Sequence, residues 1–176
     1  MRTYSHALLT WAAARRLRPS EPDAAAWAAL GATLPDLPAI AGVMWLFAGR
    51  RRVTRRVLRE EACERGPFGG PDAALHSALP VAALLLFYRA AGAREGRLTG
   101  TPLAFLLGWA GHVLADALTH AEDARPILWP LSRRRLRSPV SYWDRSRHAL
   151  LFALAEHGAL LLVAARAIPR RFRDPG

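Results

Sequence analysis

The densest chemistry in this sequence is His112-x-x-x-Asp116-x-x-x-His120. Residues four apart on a helix share one face, about one turn apart. His112 and Asp116 can therefore chelate one cation together or hydrogen-bond to each other. His120 lies a further turn along and drifts off that line. Imidazole nitrogen with carboxylate oxygen suits zinc, and also manganese or iron. A His–Asp pair that only fixes helix packing has the same spacing, and for one pair taken alone that is the commoner case. Asp36, in Gly31-Ala32-Thr33-Leu34-Pro35-Asp36, stands at a helix break inside an apolar segment. There it either turns inward or serves as an ordinary turn aspartate. His76-Ser77 opens an apolar segment beside a glycine-rich loop, where a water-exposed histidine is the plainer alternative. His6 sits early in the first helix, a position that a surface residue would also take.

The elements that must carry these residues read as helices throughout. Residues 4–17 form a first helix. Asp23 is an N-cap before an alanine-rich run to Leu34, and Pro35 and Pro38 interrupt before a second apolar piece over 39–48. A basic, amphipathic-looking segment, 50–59, leads to the loop Gly66-Pro67-Phe68-Gly69-Gly70-Pro71. Asp72 caps a helix to about 91, and Thr101-Pro102 opens another to about His120. A polar connection over 121–147 precedes a last helix over 148–168. No strand pattern and no internal repeat is present. The expectation is an all-α single domain over 1–176, a bundle of about five main helices.

Up to four segments are long and apolar enough to span a membrane: 26–48, 73–91, 102–120 and 148–168. Ionisable groups within them, Asp36, His112, Asp116, Glu156 and His157, then face a polar interior and mark function. A soluble bundle that buries the same groups is the alternative. If all four span, loops 49–72 and 121–147 share one side, and each holds seven arginines. That bias places them on the cytoplasmic side, together with His76, Asp116 and His120.

Composition agrees with apolar helices joined by charged loops. Hydrophobic residues make up 52% of the chain and charged residues 22%, with a mean hydropathy of +0.05. This is too apolar for a disordered chain. The net charge of +11 rests on arginine, with no lysine. Such an excess calls for an anionic partner, and membrane lipid is the expected one. No helix-turn-helix, zinc finger or aromatic platform supports specific nucleic-acid recognition. Cys63 is the one cysteine, which excludes an intrachain disulfide and a thiolate metal cluster. The N-terminus lacks the apolar core and cleavage site of a secretory signal.

The ordered set of His6, Gly31 to Asp36, His76-Ser77 and Gly108 to His120 resembles the membrane-bound metal-dependent hydrolases related to zinc-dependent phospholipase C. The resemblance covers roughly residues 1–120. It implies that His6, Asp36, His76, His112 and Asp116 are metal ligands, with His120 a sixth. Three departures argue for one or two ions rather than three. Pro38 stands where the membrane-bound relatives have a second acidic residue, and Asp72 where they have a histidine. The last helix offers His148, Glu156 and His157 without the phospholipase spacing.

The implied function is a metal-dependent hydrolase of the bacterial-type inner membrane, integral or peripheral. It acts on a phosphate ester, including phospholipid, through a metal-activated water. Zinc is the expected metal, and Asp36 and Asp116 the expected catalytic carboxylates, as bridge, orienter or base. The rival is a non-catalytic membrane protein whose His/Asp cluster only holds helices together. A basic adaptor working through arginine alone is a third reading, and a soluble cytoplasmic protein the alternative location. Pro139-Val140-Ser141-Tyr142-Trp143-Asp144 suits either a rim over the site or ordinary loop packing.

Overall fold

A computed structural model describes residues 1–49, 54, 57, 60, 66–95 and 100–167. The basic run at 50–59, apart from 54 and 57, lies outside the described residues, as do Cys63 and the turn at 96–99. The regular structure of the described residues is all α-helical, with no strand: α1 (Thr3–Leu17), α2 (Pro22–Thr33), α3 (Leu37–Gly49), α4 (Gly69–Leu75), α5 (Ala78–Glu95), α6 (Thr101–Thr119) and α7 (Ala149–Ala167). Short 3-10 turns, Leu34–Asp36 and Arg145–Arg147, join some of them.

Two of the long apolar segments are broken, and both breaks carry candidate residues. Pro35 and Pro38 interrupt less than expected. The break is a single 3-10 turn, Leu34–Asp36, after which α3 begins at Leu37. Proline is tolerated in a first helical turn, where its missing N–H would have no partner anyway. The second break falls at His76 and Ser77, inside what the sequence suggested was one helix from 73 to 91. Asp72 is not its cap but lies within α4, buried. Ser77 does the capping instead: its hydroxyl oxygen accepts from the Leu79 N–H at 3.2 Å. The Ser77 hydroxyl donates in turn to the carbonyls of Trp129 (2.7 Å) and Ile127 (3.1 Å). Asp23 is not a cap either: Glu21 holds that position, with Pro22 opening α2.

The tightest packing is α2 against α6. The buried face of α2 is Ala24, Ala25, Ala28, Gly31 and Ala32. Small side chains let two backbones approach closely, as helices packed in lipid do. A Cβ on Gly31 would lie 1.9 Å from the Phe105 carbonyl oxygen, and one on Gly108 would lie 2.0 Å from that of Ala28. Beside this crossing lies an apolar cluster of Val81, Leu106, Trp109 and Val113. The indole N–H of Trp109 donates to the Leu75 carbonyl at 2.6 Å, securing the break that carries His76.

Three segments are long and apolar enough to cross a membrane: Pro22–Gly49, Thr101–Thr119 and Ala149–Ala167. A fourth is reached if Gly69–Leu75 and Ala78–Gly92, bent by 49°, count as one. A 19-residue helix is about 28 Å long, close to the hydrocarbon thickness of a bilayer. Only 11% of the most apolar window of α7 is buried, and Leu150, Leu151, Leu154, Leu161 and Leu162 are exposed. Hydrocarbon is the solvent that suits such a face.

The crossing generates a paired prediction. Gly108→Ala should destabilise the protein by about 1–3 kcal/mol or more, because the new methyl meets rigid backbone. Gly111→Ala, on the same helix with nothing within 4 Å of its Cβ, should be neutral or stabilise by up to about 1 kcal/mol. Unfolding midpoints in detergent micelles check both, and equal effects would refute the close crossing.

Candidate metal centre

His112 is fully buried on α6, and its Nδ1–H donates to the Ala32 carbonyl at 2.7 Å. Ala32 lies in the last turn of α2, where carbonyls lack helical donors. That bond fixes the ring and turns Nε2 toward the interior. His76, buried at the α4–α5 break, repeats the device, with Nδ1–H donating to the Asp72 carbonyl at 2.9 Å. With each ring's proton on Nδ1, both Nε2 atoms carry lone pairs. They face each other at 3.3 Å. Two lone pairs tolerate that approach only with positive charge between or beside them.

Two carboxylates complete the group. Asp36 Oδ1 lies 3.6 Å from His76 Nε2 and 3.8 Å from His112 Nε2. Asp116 Oδ2 lies 3.5 Å from His76 Nε2 and 3.3 Å from His112 Nε2. All four ligand atoms fall within 4.8 Å of one another. The separations are longer than good hydrogen bonds, which run about 2.7–3.2 Å. A tetrahedron with ligands about 2.1 Å from a central ion has edges of roughly 3.4 Å, and the five His–His and His–Asp separations lie at 3.3–3.8 Å, near that length. The Thr3 hydroxyl donates to Asp36 Oδ2 at 2.5 Å, leaving Oδ1 to the group. Asp36, His76, His112 and Asp116 therefore form a cluster that could hold a metal ion.

His6 and His120 arrive at the same place by another route. Both meet the second oxygen of Asp116, Oδ1, with His6 Nε2 at 2.9 Å and His120 Nε2 at 3.1 Å. These are hydrogen-bond lengths, and neither residue joins the group of four. The His6 ring also stacks on His112, centroids 3.8 Å apart. Burial holds His6 below the ordinary imidazole range, outweighing the upward pull of its Asp116 bond. The Met1 amino group lies 3.1 Å from Asp116 Oδ1, 2.8 Å from Thr119 Oγ1 and 3.1 Å from His120 Nε2.

The loop after α6 supplies residues that motif reading missed. His120 Nδ1 lies 3.0 Å from Asp123 Oδ2. Burial pushes the Asp123 carboxyl up, but the His120 bond and charge outweigh it and hold it at about 2. Arg125 Nε donates to Asp72 Oδ2 at 3.1 Å. Asp72 had a legible signal, since it stands four before His76, the same spacing as His112 and Asp116. Arg125 and Asp123 had none, because a loop carries no period. Within the Pro139–Asp144 segment, the Tyr142 ring packs on His120 with centroids 4.8 Å apart, and its N–H donates to the Thr119 carbonyl at 3.1 Å. Burial, then the Asp123 charge, pushes the Tyr142 hydroxyl well above its usual range.

The last helix does not reach the cluster. Glu156 is buried and pairs with the Arg2 guanidinium, while its Oε1 accepts from the Arg2 N–H at 3.1 Å. His157 Nε2 meets the Tyr4 hydroxyl at 3.0 Å. Both contacts fasten α7 to α1.

Comparison with known proteins corrects one expectation. No curated protein matches the chain at a significant level, and neither does any solved structure. The YdjM inner membrane protein family is matched by residues 1–172, and nothing relates the chain to phospholipase C. The resemblance to phospholipase-related hydrolases rested on short His and Asp motifs, and helix periodicity and turn chemistry generate such motifs in unrelated bundles. The match supports a membrane location, in keeping with the apolar helices. Nearly the whole chain takes part in it, and the protein belongs to the YdjM inner membrane protein family.

Proposed function

We propose that this protein is a membrane-embedded, zinc-dependent hydrolase that cleaves a phosphate ester with a metal-activated water. The observation that carries the reading is the four-residue cluster at the head of an open cleft. His76 and Asp116 line a small, partly open cleft beside His120 and Arg125. Bound zinc lowers the pKa of its water toward about 7, which supplies hydroxide at neutral pH. Asp36 and Asp116 would hold the ion together with His76 and His112. Asp36 or Asp116 would serve as the base toward such a water, and of the two Asp116 is the one that lines the cleft. His6, His120 and Thr3 orient the two carboxylates.

The arginine-rich loops support a site on the cytoplasmic side by the positive-inside tendency. Arg133, Arg134, Arg135 and Arg137 are exposed in one run, suited to anionic lipid head groups. A second reading has its own support. Four protein ligands complete a tetrahedron, as structural zinc sites do, and a closed site would only pin α2, α4 and α6 together.

Elemental analysis of purified protein should find one zinc per chain, absent from His112→Ala and Asp36→Ala. His6→Ala should keep the ion with affinity weakened about 10–100-fold, as expected of a residue that orients a ligand. Two ions per wild-type chain would instead make His6 and His120 ligands of a second ion on Asp116 Oδ1. Hydrolysis of a chromogenic phosphate ester in micelles should vanish on chelation and return with zinc. Stoichiometric zinc without hydrolysis of any phosphate ester would favour the structural reading.

A further inference from the structure

We infer that the loop tip over residues 128–137 docks on the surface of the bilayer, with Leu131 and Leu136 set among anionic lipid head groups. Docking requires the membrane location and does not depend on the hydrolase reading. Both feet of the tip are pinned to the ends of apolar helices. At the first foot, the Ile127 carbonyl accepts from the Ala78 N–H at 2.8 Å and from the Ser77 hydroxyl at 3.1 Å. At the second, the Ser138 N–H donates to the His120 carbonyl at 2.9 Å, and its hydroxyl donates to the Leu118 carbonyl at 2.6 Å. α6 is long and apolar enough to cross a membrane, and Leu114 and Leu118 are exposed along it to its last turn. The feet therefore hold the tip at the level where α6 leaves the hydrocarbon.

The side chains of the tip are of two kinds. Leu128, Leu131 and Leu136 are exposed, Leu131 by 82%. Arg133, Arg134, Arg135 and Arg137 are exposed beside them, and no acidic residue stands between Asp123 and Asp144. A run of charge made only for solvation gains nothing from leucines in water. Nucleic acid would engage the arginines and leave the leucines wet. An anionic leaflet engages both, taking the leucines at the acyl boundary and the arginines at the phosphates. Leu136 also lines the small cleft beside His76, Asp116 and His120. Docking therefore brings the mouth of that cleft to head-group level.

The test is fluorescence of the full chain in lipid nanodiscs, with an environment-sensitive dye on Leu131→Cys in a Cys63→Ala background. Discs of phosphatidylcholine alone are compared with discs that also contain phosphatidylglycerol. A dye on Leu154→Cys, on the exposed face of α7, is the control for spanning. In the mixed discs the dye at position 131 should be quenched by spin-labelled lipid and shielded from aqueous acrylamide. Arg133→Gln with Arg134→Gln, both on the surface, should lower the docked-to-free ratio at least about tenfold, through loss of two cations from an anionic surface. High salt should act in the same direction. Equal shielding in both kinds of disc overturns the choice of anionic lipid, and open access in both overturns docking itself. Shielding that appears only when RNA or duplex DNA is added makes the partner a nucleic acid and overturns the inference. A dye at position 154 open to acrylamide overturns the spanning of α7 and this inference together, whereas a shielded 154 beside an open 131 overturns this inference alone.

Discussion

The close crossing of α2 and α6 is the constraint on which the site depends. A Cβ at Gly31 or at Gly108 would lie within 2.0 Å of a backbone carbonyl oxygen of the other helix. Only at that separation can His112 on one helix donate to Ala32 on the other. The same approach sets Asp36, just past the end of α2, opposite His112. In lipid, helices gain little from burying leucine, since acyl chains are equally apolar. Close van der Waals packing and interhelical hydrogen bonds hold them instead. The glycines serve both purposes, attaching the helices and positioning the His/Asp cluster.

The cluster is costly in any other arrangement. Buried carboxylates and imidazoles lose hydration that hydrogen bonds must replace. Here the other polar atom of each of the four cluster residues has a partner. Nδ1 of His112 and of His76 meets a carbonyl, and Oδ2 of Asp36 meets Thr3. Oδ1 of Asp116 meets His6 and His120. What remains turned inward is two nitrogen lone pairs and two carboxylate oxygens. Such a set repels itself unless a proton on one imidazole or a cation shares the space, so the architecture favours positive charge there.

The helix breaks follow the same logic. A continuous helix hides its backbone polar groups and gives side chains a regular spacing. The interruptions at Leu34–Asp36 and at His76-Ser77 point side chains where that spacing would not. The second break is secured by Ser77, which caps α5, and by the Trp109 indole on Leu75, while the Thr3 hydroxyl holds Asp36 at the first. Non-helical backbone within an apolar segment is tolerated where protein covers it.

Much of this protein was readable in its residues. Apolar segments of membrane length, the absence of strand patterns and the spacing of His112 and Asp116 come from local periodicity, which sequence alone carries. Asp36 and His76 stood out because proline and glycine punctuate a chain visibly. Motif order misled about kinship, since spaced His and Asp residues recur wherever helices bury polar groups. Tertiary structure decided the rest. It divided six candidates into four around one point and two that orient a shared carboxylate, a distinction of a few tenths of an ångström between edge lengths and hydrogen bonds. It moved Asp72 from a cap to a buried anchor for Arg125, and it drew Asp123 and Tyr142 over His120. Those residues reach the site across the fold from a loop, and distances between separate elements are set by packing that no local pattern encodes.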